Sequence, residues 1–467
     1  MKRVFFVYPP SMVMNREDRC QQPVKELLTI PPLPPTDLMY LASIARSCGC
    51  VCKIKDYSIK NESVDDFKND ILDFKPDYLV LNVATPTLEN DLSVCSVAKQ
   101  VNQNIITIAK GAYFLAENIS VLNSYKDLDL IIRSEAELTF REIVEGKKYS
   151  EILGLTYRNN GVAVNNEQRP FCQNLDELPF PARDLVDMDI YRRPDNNKKQ
   201  AVIKVSRGCP FHCFFCLATP VSGKKVRMRS VDNIVAEIKE CKEKYGVDNF
   251  LFWSDIFDID REWTISLCQR IIDEKLNIVW SSNTRADTAD FELAKIMKKS
   301  GCGLVSIGIE SGSQFMLDKM GKKTTLEQVR NTVKAFRKVG IKVYGYFVLG
   351  LPWETEETAK QTMDFACELD LNYANFYTAT AFPSSRFWDY AKEHNLFDDE
   401  DKYKSAYYYP SVKTHSLSKD RVFELHKKAV RKFYLRPSFI LKTLFSIRSF
   451  VEFKNYTVAG LGLLFKK

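Results

Sequence analysis

Three cysteines fall within eight residues, in the segment Ser206-Arg207-Gly208-Cys209-Pro210-Phe211-His212-Cys213-Phe214-Phe215-Cys216. Thiolates spaced this closely on one loop can ligate three irons of a cubane iron–sulfur cluster. No fourth cysteine stands nearby, so one iron would stay open to a small molecule bound through an amine and a carboxylate. A zinc site completed by His212 or a distant residue, or plain buried cysteines, are the alternatives. The spacing, and the placement just after a predicted strand, favour the cluster. Cys48, Cys50, Cys52, Cys95, Cys241, Cys268, Cys302 and Cys367 read instead as small buried hydrophobes.

The elements that position this loop follow a rhythm of apolar runs and helical patterns. Strands are expected over residues 4–8, 51–54, 78–83, 105–108 and 128–132, with a helix near 36–48. Strand and helix in alternation argue for a parallel sheet with helices on both faces. Loops at the strand ends hold Pro10, Thr85, Thr87, Gly111, Ala112 and Glu135, and ligands of open α/β sheets bind at such carboxyl ends. Residues 151–200 read as a linker, with a short hairpin near 155–157 and the proline-rich Leu178-Pro179-Phe180-Pro181. A second series begins at Ala201, with strands expected over 201–205, 249–253, 278–281, 304–309, 343–349 and 375–380. Six such units make a barrel or partial barrel, in which reactive groups gather at the strand carboxyl ends. The expected domains are therefore 1–150, 201–395 and a helical region 396–467.

Composition sets bounds on function. The 467 residues are 45% hydrophobic and 27% charged, as in an ordinary globular protein of two or three domains. A net charge of +7 over this length is a mild bias and does not indicate nucleic acid. The apolar run after Met1 is too short for a signal peptide, and no stretch approaches the ~20 residues that span a bilayer. A cytoplasmic location is expected, and thirteen cysteines there point to metal or redox chemistry before disulfides.

The Cys209, Cys213, Cys216 spacing resembles the signature of the radical S-adenosylmethionine (SAM) superfamily. That resemblance implies a partial (β/α)6 barrel, a [4Fe–4S] cluster on the three cysteines, and reductive cleavage of SAM to a 5′-deoxyadenosyl radical. It further implies SAM contacts at Phe215, beside the adenine, and at Ser254 and Asp255, whose backbone meets the methionine amine although the usual Gly-Gly-Glu wording is absent. Glu310 in Gly308-Ile309-Glu310-Ser311-Gly312 matches the ribose contact, and Val348 before Gly350-Leu351-Pro352 the adenine contact. Arg285 is a candidate for the SAM carboxylate, with a structural ion pair as the alternative.

A Rossmann-like domain ahead of such a barrel resembles the cobalamin-binding subclass. Cobalamin would then sit at the strand-end loops, with Pro10, Thr85, Thr87, Gly111, Ala112 and Glu135 as candidate contacts. No Asp-x-His-x-x-Gly occurs, and His212, His394, His415 and His426 all lie outside this domain, so no imidazole from it would reach the cobalt. Dinucleotide binding is disfavoured because no Gly-x-Gly-x-x-Gly follows the first strand. The implied reaction is methylation of an unactivated carbon of a small or lipid-like metabolite, with radical cyclisation or a cobalamin-free first domain as alternatives. A redox-sensing iron–sulfur protein is the remote one. Flavodoxin or ferredoxin would supply electrons. Residues 431–467 carry eight Lys or Arg against one Glu, interleaved with Phe, Leu and Ile. This reads as a basic amphipathic tail that can lie on the inner face of a membrane or pack on the barrel, and the run Val458–Phe465 can dip into lipid.

Overall fold

Val4-Phe5-Phe6-Val7 and Tyr78-Leu79-Val80-Leu81 are apolar at consecutive positions and buried throughout, as suits inner strands of a parallel sheet covered on both faces. The computed structural model describes residues 1–24, 32–193, 197–397, 409–447, 453, 454 and 457. Its first sheet draws on β1 (Arg3–Tyr8), β4 (Val51–Asp56), β5 (Tyr78–Asn82), β6 (Ile106–Lys110), β7 (Leu130–Ile132), β8 (Leu155–Asn159) and β9 (Val162–Asn165). Between β1 and β4 the strands β2 (Met14–Glu17) and β3 (Cys20–Pro23) form a separate antiparallel hairpin. The sheet order is β4-β1-β5-β6-β7-β8-β9, parallel as far as β7. Chain order reverses at β1, so the crevice between the loops after β1 and β5 is the switch point of the sheet.

The hairpin expected inside the linker belongs to this sheet. β8 pairs antiparallel with β7, and β9 with β8, which covers an edge that would otherwise offer unpaired backbone groups. The first sheet therefore runs to Asn165, past the boundary expected near 150.

The second sheet is built from β10 (Gln200–Lys204), β13 (Asn249–Trp253), β14 (Val279–Thr284), β15 (Cys302–Glu310), β16 (Lys342–Leu349) and β17 (Tyr373–Thr378), all parallel and in chain order. A two-stranded ribbon, β11 (Ser206–Arg207) with β12 (Arg227–Met228), brackets the cysteine loop. Helices return between the strands, and their starts are set locally: Ser230, Asp260, Asp290, Thr325, Thr355 and Ser385 each accept a backbone N–H of the first turn. Residues of all six strands line one cavity, so the sheet curls around it. The molecule is thus α/β, with an N-terminal domain, a curled parallel sheet and C-terminal helices Lys419–Tyr434 and Pro437–Ser446. The run Val458–Phe465 lies outside the described residues. No helix among the described residues is long and apolar enough to cross a membrane.

Charges join the two sheets. Lys204, at the end of β10, pairs with Glu17 (2.9 Å) and Asp37, while Lys110 pairs with Asp37 (2.8 Å) and Asp18 (3.0 Å). Burial works against the Asp37 carboxylate, yet the two ammonium groups hold its pKa well below the usual range. Arg207 pairs with Glu135 (3.2 Å) and Glu137, and Arg227 with Glu135 (2.9 Å).

Candidate active site

The cysteine loop starts at a residue that must be glycine. Gly208 has φ +103°, and a Cβ there would stand 2.1 Å from the Lys225 carbonyl oxygen. Its N–H donates to Asp255 Oδ2 (2.8 Å), and the N–H of Cys209 donates to the Gly223 carbonyl (3.0 Å). Further on, the Phe214 ring is buried against Trp353, Phe387 and Tyr390, with centroids 4.8, 5.3 and 5.5 Å away. With Phe214 anchored on that side, Cys209, Cys213 and Cys216 all line the cavity.

All three thiols are free, and Cys216 Sγ accepts the Ala218 N–H (3.3 Å). Burial pushes the Cys216 thiol up to about 12 and raises Cys209 as well, so a negative sulfur here is one stabilised by a bound metal. Among the described residues no three His, Cys, Asp or Glu side chains close on a single ion. A cubane seats each cysteine on a different iron and needs no such common centre. His212 is exposed and does not line the cavity.

The cavity measures about 340 Å³, and Phe215, Asp255, Arg285, Glu310 and Val348 line it together with the cysteines. Ser254 does not; its side chain is buried and its carbonyl accepts Arg19 Nη2 (2.8 Å). Glu310 sits at φ +68° where β15 slips register against β16, and its Oε1 receives Lys322 Nζ (2.7 Å), both side chains being buried. A Cβ on Gly308 would stand 2.4 Å from that oxygen and 2.8 Å from that nitrogen. Gly308 thus leaves the space in which the pair meets. Burial opposes the Lys322 ammonium, but Glu310 keeps its pKa above the ordinary value. Arg285 is held by Asp287 through two bonds (2.8 and 2.9 Å), donates to the Lys322 carbonyl (2.9 Å) and lies 3.6 Å from the Phe211 ring.

Several lining residues were not legible beforehand. Lys322 lies in a polar stretch that resembles any surface loop. Arg19 arrives from the β2–β3 hairpin, pairs with Asp255 (3.0 Å) and stacks over Trp253 at 5.2 Å. Tyr344, Tyr346 and Tyr377 form an aromatic wall, with 4.8 Å between the first two rings and 5.8 Å between the last two. Their signal was the alternation in Tyr344-Gly345-Tyr346, which puts both rings on one face of β16.

Comparison with known proteins decides the family. A family model described as the radical SAM superfamily matches residues 203–366. The chain is 34% identical over 444 residues to an uncharacterized methyltransferase of Pyrococcus horikoshii, covering 92% of this chain and 96% of that one. The chain belongs to the radical SAM superfamily. Its fold is that of the cobalamin-dependent members with solved structures. The radical SAM methyltransferase TsrM from Kitasatospora setae, solved with cobalamin and a [4Fe–4S] cluster, matches at TM-score 0.68 and 17% identity over 84% of this chain and 75% of that one. The cobalamin-dependent enzyme OxsB, solved with aqua-cobalamin and SAM, matches at TM-score 0.74 and 14% identity over 99% of this chain and 71% of that one.

The radical SAM cavity does not include the six candidate cobalamin contacts, which sit at the carboxyl ends of β1, β5, β6 and β7. The Pro10 carbonyl accepts Asn90 Nδ2 (2.7 Å), and the Thr85 N–H donates to Gln21 Oε1 (2.8 Å). The Thr87 hydroxyl donates to Asp91 Oδ2 (2.6 Å). Gly111 packs on the Val83 carbonyl, and Ala112 on Leu217 and Phe382 of the other half. Glu135 accepts the Cys172 N–H (2.8 Å) as well as its two arginines, and so serves the domain junction. Thr85 Oγ1, Asn82 Oδ1 and, past β7, Ser134 Oγ are buried without hydrogen-bond partners among the described residues, and such atoms fit a bound polar group. Over the β5 end of the edge lies the hairpin: Arg16 is fully buried, pairs with Asp91 and donates to the Asn82 carbonyl (3.2 Å), while at the β6 and β7 ends Lys110, Ser134 and Glu135 line a small pocket.

Proposed function

We propose that this radical SAM enzyme is cobalamin-dependent and methylates an unactivated carbon of a small or lipid-like metabolite. The observation that carries the reading is the convergence of three free thiols and the Glu310–Lys322 pair on one cavity. Cys209, Cys213 and Cys216 would hold a [4Fe–4S] cluster, which would supply one electron to break a carbon–sulfur bond of SAM with release of methionine, and cobalamin would supply a methyl group. The chain's own residues bind and orient. Lys322 and Arg285 place positive charge where a carboxylate can dock, Glu310 offers an acceptor to hydroxyl groups, and Phe215 and Val348 give an apolar bed for a base. The wall of Tyr344, Tyr346 and Tyr377 keeps water from the radical's path and favours a substrate with a flat or apolar body. Flavodoxin or ferredoxin fits as the reductant. Methyl transfer is supported by the name of the Pyrococcus horikoshii relative.

A second reading, in which the first domain carries no cobalamin, is favoured by one observation: the β2–β3 hairpin covers the switch point with a buried ion pair. Anaerobic purification with iron, sulfide and hydroxocobalamin, followed by metal analysis and assay of 5′-deoxyadenosine, separates the two. About four irons and one cobalt per chain support the first reading. Iron and SAM cleavage without cobalt support the second, and absence of iron refutes both.

A further inference from the structure

The helix Lys419–Tyr434 buries Val422, Leu425, Ala429 and Phe433 against the protein. Its other face presents Lys427, Lys428, Arg431 and Lys432, which with Glu424, Leu435 and Arg436 line an open depression. Lys432 pairs with Asp364. Among the described residues Lys427, Lys428 and Arg431 form no ion pair, and Arg436 Nη1 is shielded from water without a hydrogen-bond partner. Five cations beside one carboxylate thus surround this space, with Lys427 over the Phe423 ring at 4.8 Å and Arg436 over the Phe433 ring at 4.0 Å.

The chain then turns into the helix Pro437–Ser446. Phe439 fastens its start to Phe433 (5.3 Å) and Tyr434 (5.1 Å). Beyond that anchor Ile440, Leu441, Leu444 and Phe445 are 43%, 56%, 54% and 87% exposed. Their spacing puts all four on one stripe of the helix, continuous with the basic depression through Arg436.

We propose that this surface docks on an anionic phospholipid bilayer, with Leu441, Leu444 and Phe445 entering the acyl boundary and Lys427, Lys428, Arg431 and Arg436 meeting lipid phosphates. Charge selects this partner over the others. A second copy of the chain would bring the same cations face to face. Nucleic acid would answer the cations but would leave the aliphatic stripe in water, whereas a bilayer satisfies both in the order in which the surface presents them.

Sedimentation of the full-length holoenzyme with vesicles of phosphatidylcholine alone, or mixed with phosphatidylglycerol, tests the proposal. Binding to the mixed vesicles only, weakened by salt, is expected. At about fivefold per cation, corresponding to ~1 kcal/mol each, the variant Lys427→Ala/Lys428→Ala/Arg431→Ala binds on the order of a hundredfold more weakly. Leu441→Asp/Leu444→Asp loses binding while retaining SAM cleavage, which shows the variant to be folded. Equal binding to neutral vesicles, or none to either, overturns the proposal. So does a concentration-dependent dimer that Leu444→Asp dissolves, or retention of an RNA oligonucleotide by protein that ignores vesicles.

Discussion

The two large sheets differ at the carboxyl ends of their parallel strands. Both present loops where ligands of α/β folds bind. At the first, a hairpin from the same chain folds back and its Arg16 meets Asp91 with neither side chain exposed. At the second, the loops stand apart around a cavity lined by three thiols, two charged pairs and a tyrosine wall. Strand order names the place for a ligand in each case. What fills that place is set by side chains from elsewhere: Gln21 and Arg16 bond to the backbone at the end of β5, while Arg19 and Lys322 bring their charges to the wall of the second cavity.

Removing a thiol from the open edge has the largest expected effect. Cys213→Ala should abolish 5′-deoxyadenosine formation and lower iron per chain, with the fold retained by circular dichroism. Iron content unchanged from the parent would break the assignment of this edge. At the first edge, Arg16→Met leaves the Asp91 carboxylate buried without a cation, and loss of about 3–5 kcal/mol in urea unfolding is expected. If that pair is what closes the first edge, the variant also retains more hydroxocobalamin on gel filtration at the same iron content.

Unlike the paired charges of the first edge, Glu354 beyond β16 is buried without a cation, and burial raises its pKa to about 7. It binds a proton in the folded state over a range in which the unfolded chain has lost it. Stability is therefore fully present below about pH 4.5 and falls as pH rises towards 7, by about 3 kcal/mol. Glu354→Gln should flatten that slope relative to the parent in unfolding curves across this window. The smallest effect belongs to Arg19, the one hairpin residue paired with Asp255. Arg19→Ala is expected to raise the KM for SAM severalfold with kcat held, equivalent to ~1 kcal/mol. A fall in kcat at constant KM would place Arg19 with the first edge alone.

Much of this arrangement was legible because it is local. Alternating apolar runs and helices located the strands of both sheets. The spacing of Cys209, Cys213 and Cys216 marked the loop, and Glu310 and Val348, named from short motifs, line the same cavity. The β2–β3 hairpin was missed since its eight strand residues carry no apolar alternation, and it is held by partners as distant as Asn82 and Tyr377. Lys322 was missed for a similar reason: only the bulge at Glu310 and the bare Gly308 give its ammonium a buried partner.

By itself, then, the sequence determined the α/β rhythm, the cysteine loop and the basic apolar tail, all encoded in neighbouring residues through periodicity, composition and spacing. Tertiary structure alone decided that Arg19 reaches the thiol-bearing cavity, that Glu135 joins the domains, and that a hairpin covers the β5 end of one sheet edge while a cavity opens at the other. Those outcomes depend on burial and on charges meeting across long stretches of chain, where desolvation makes a partner obligatory and no local pattern says which partner it will be.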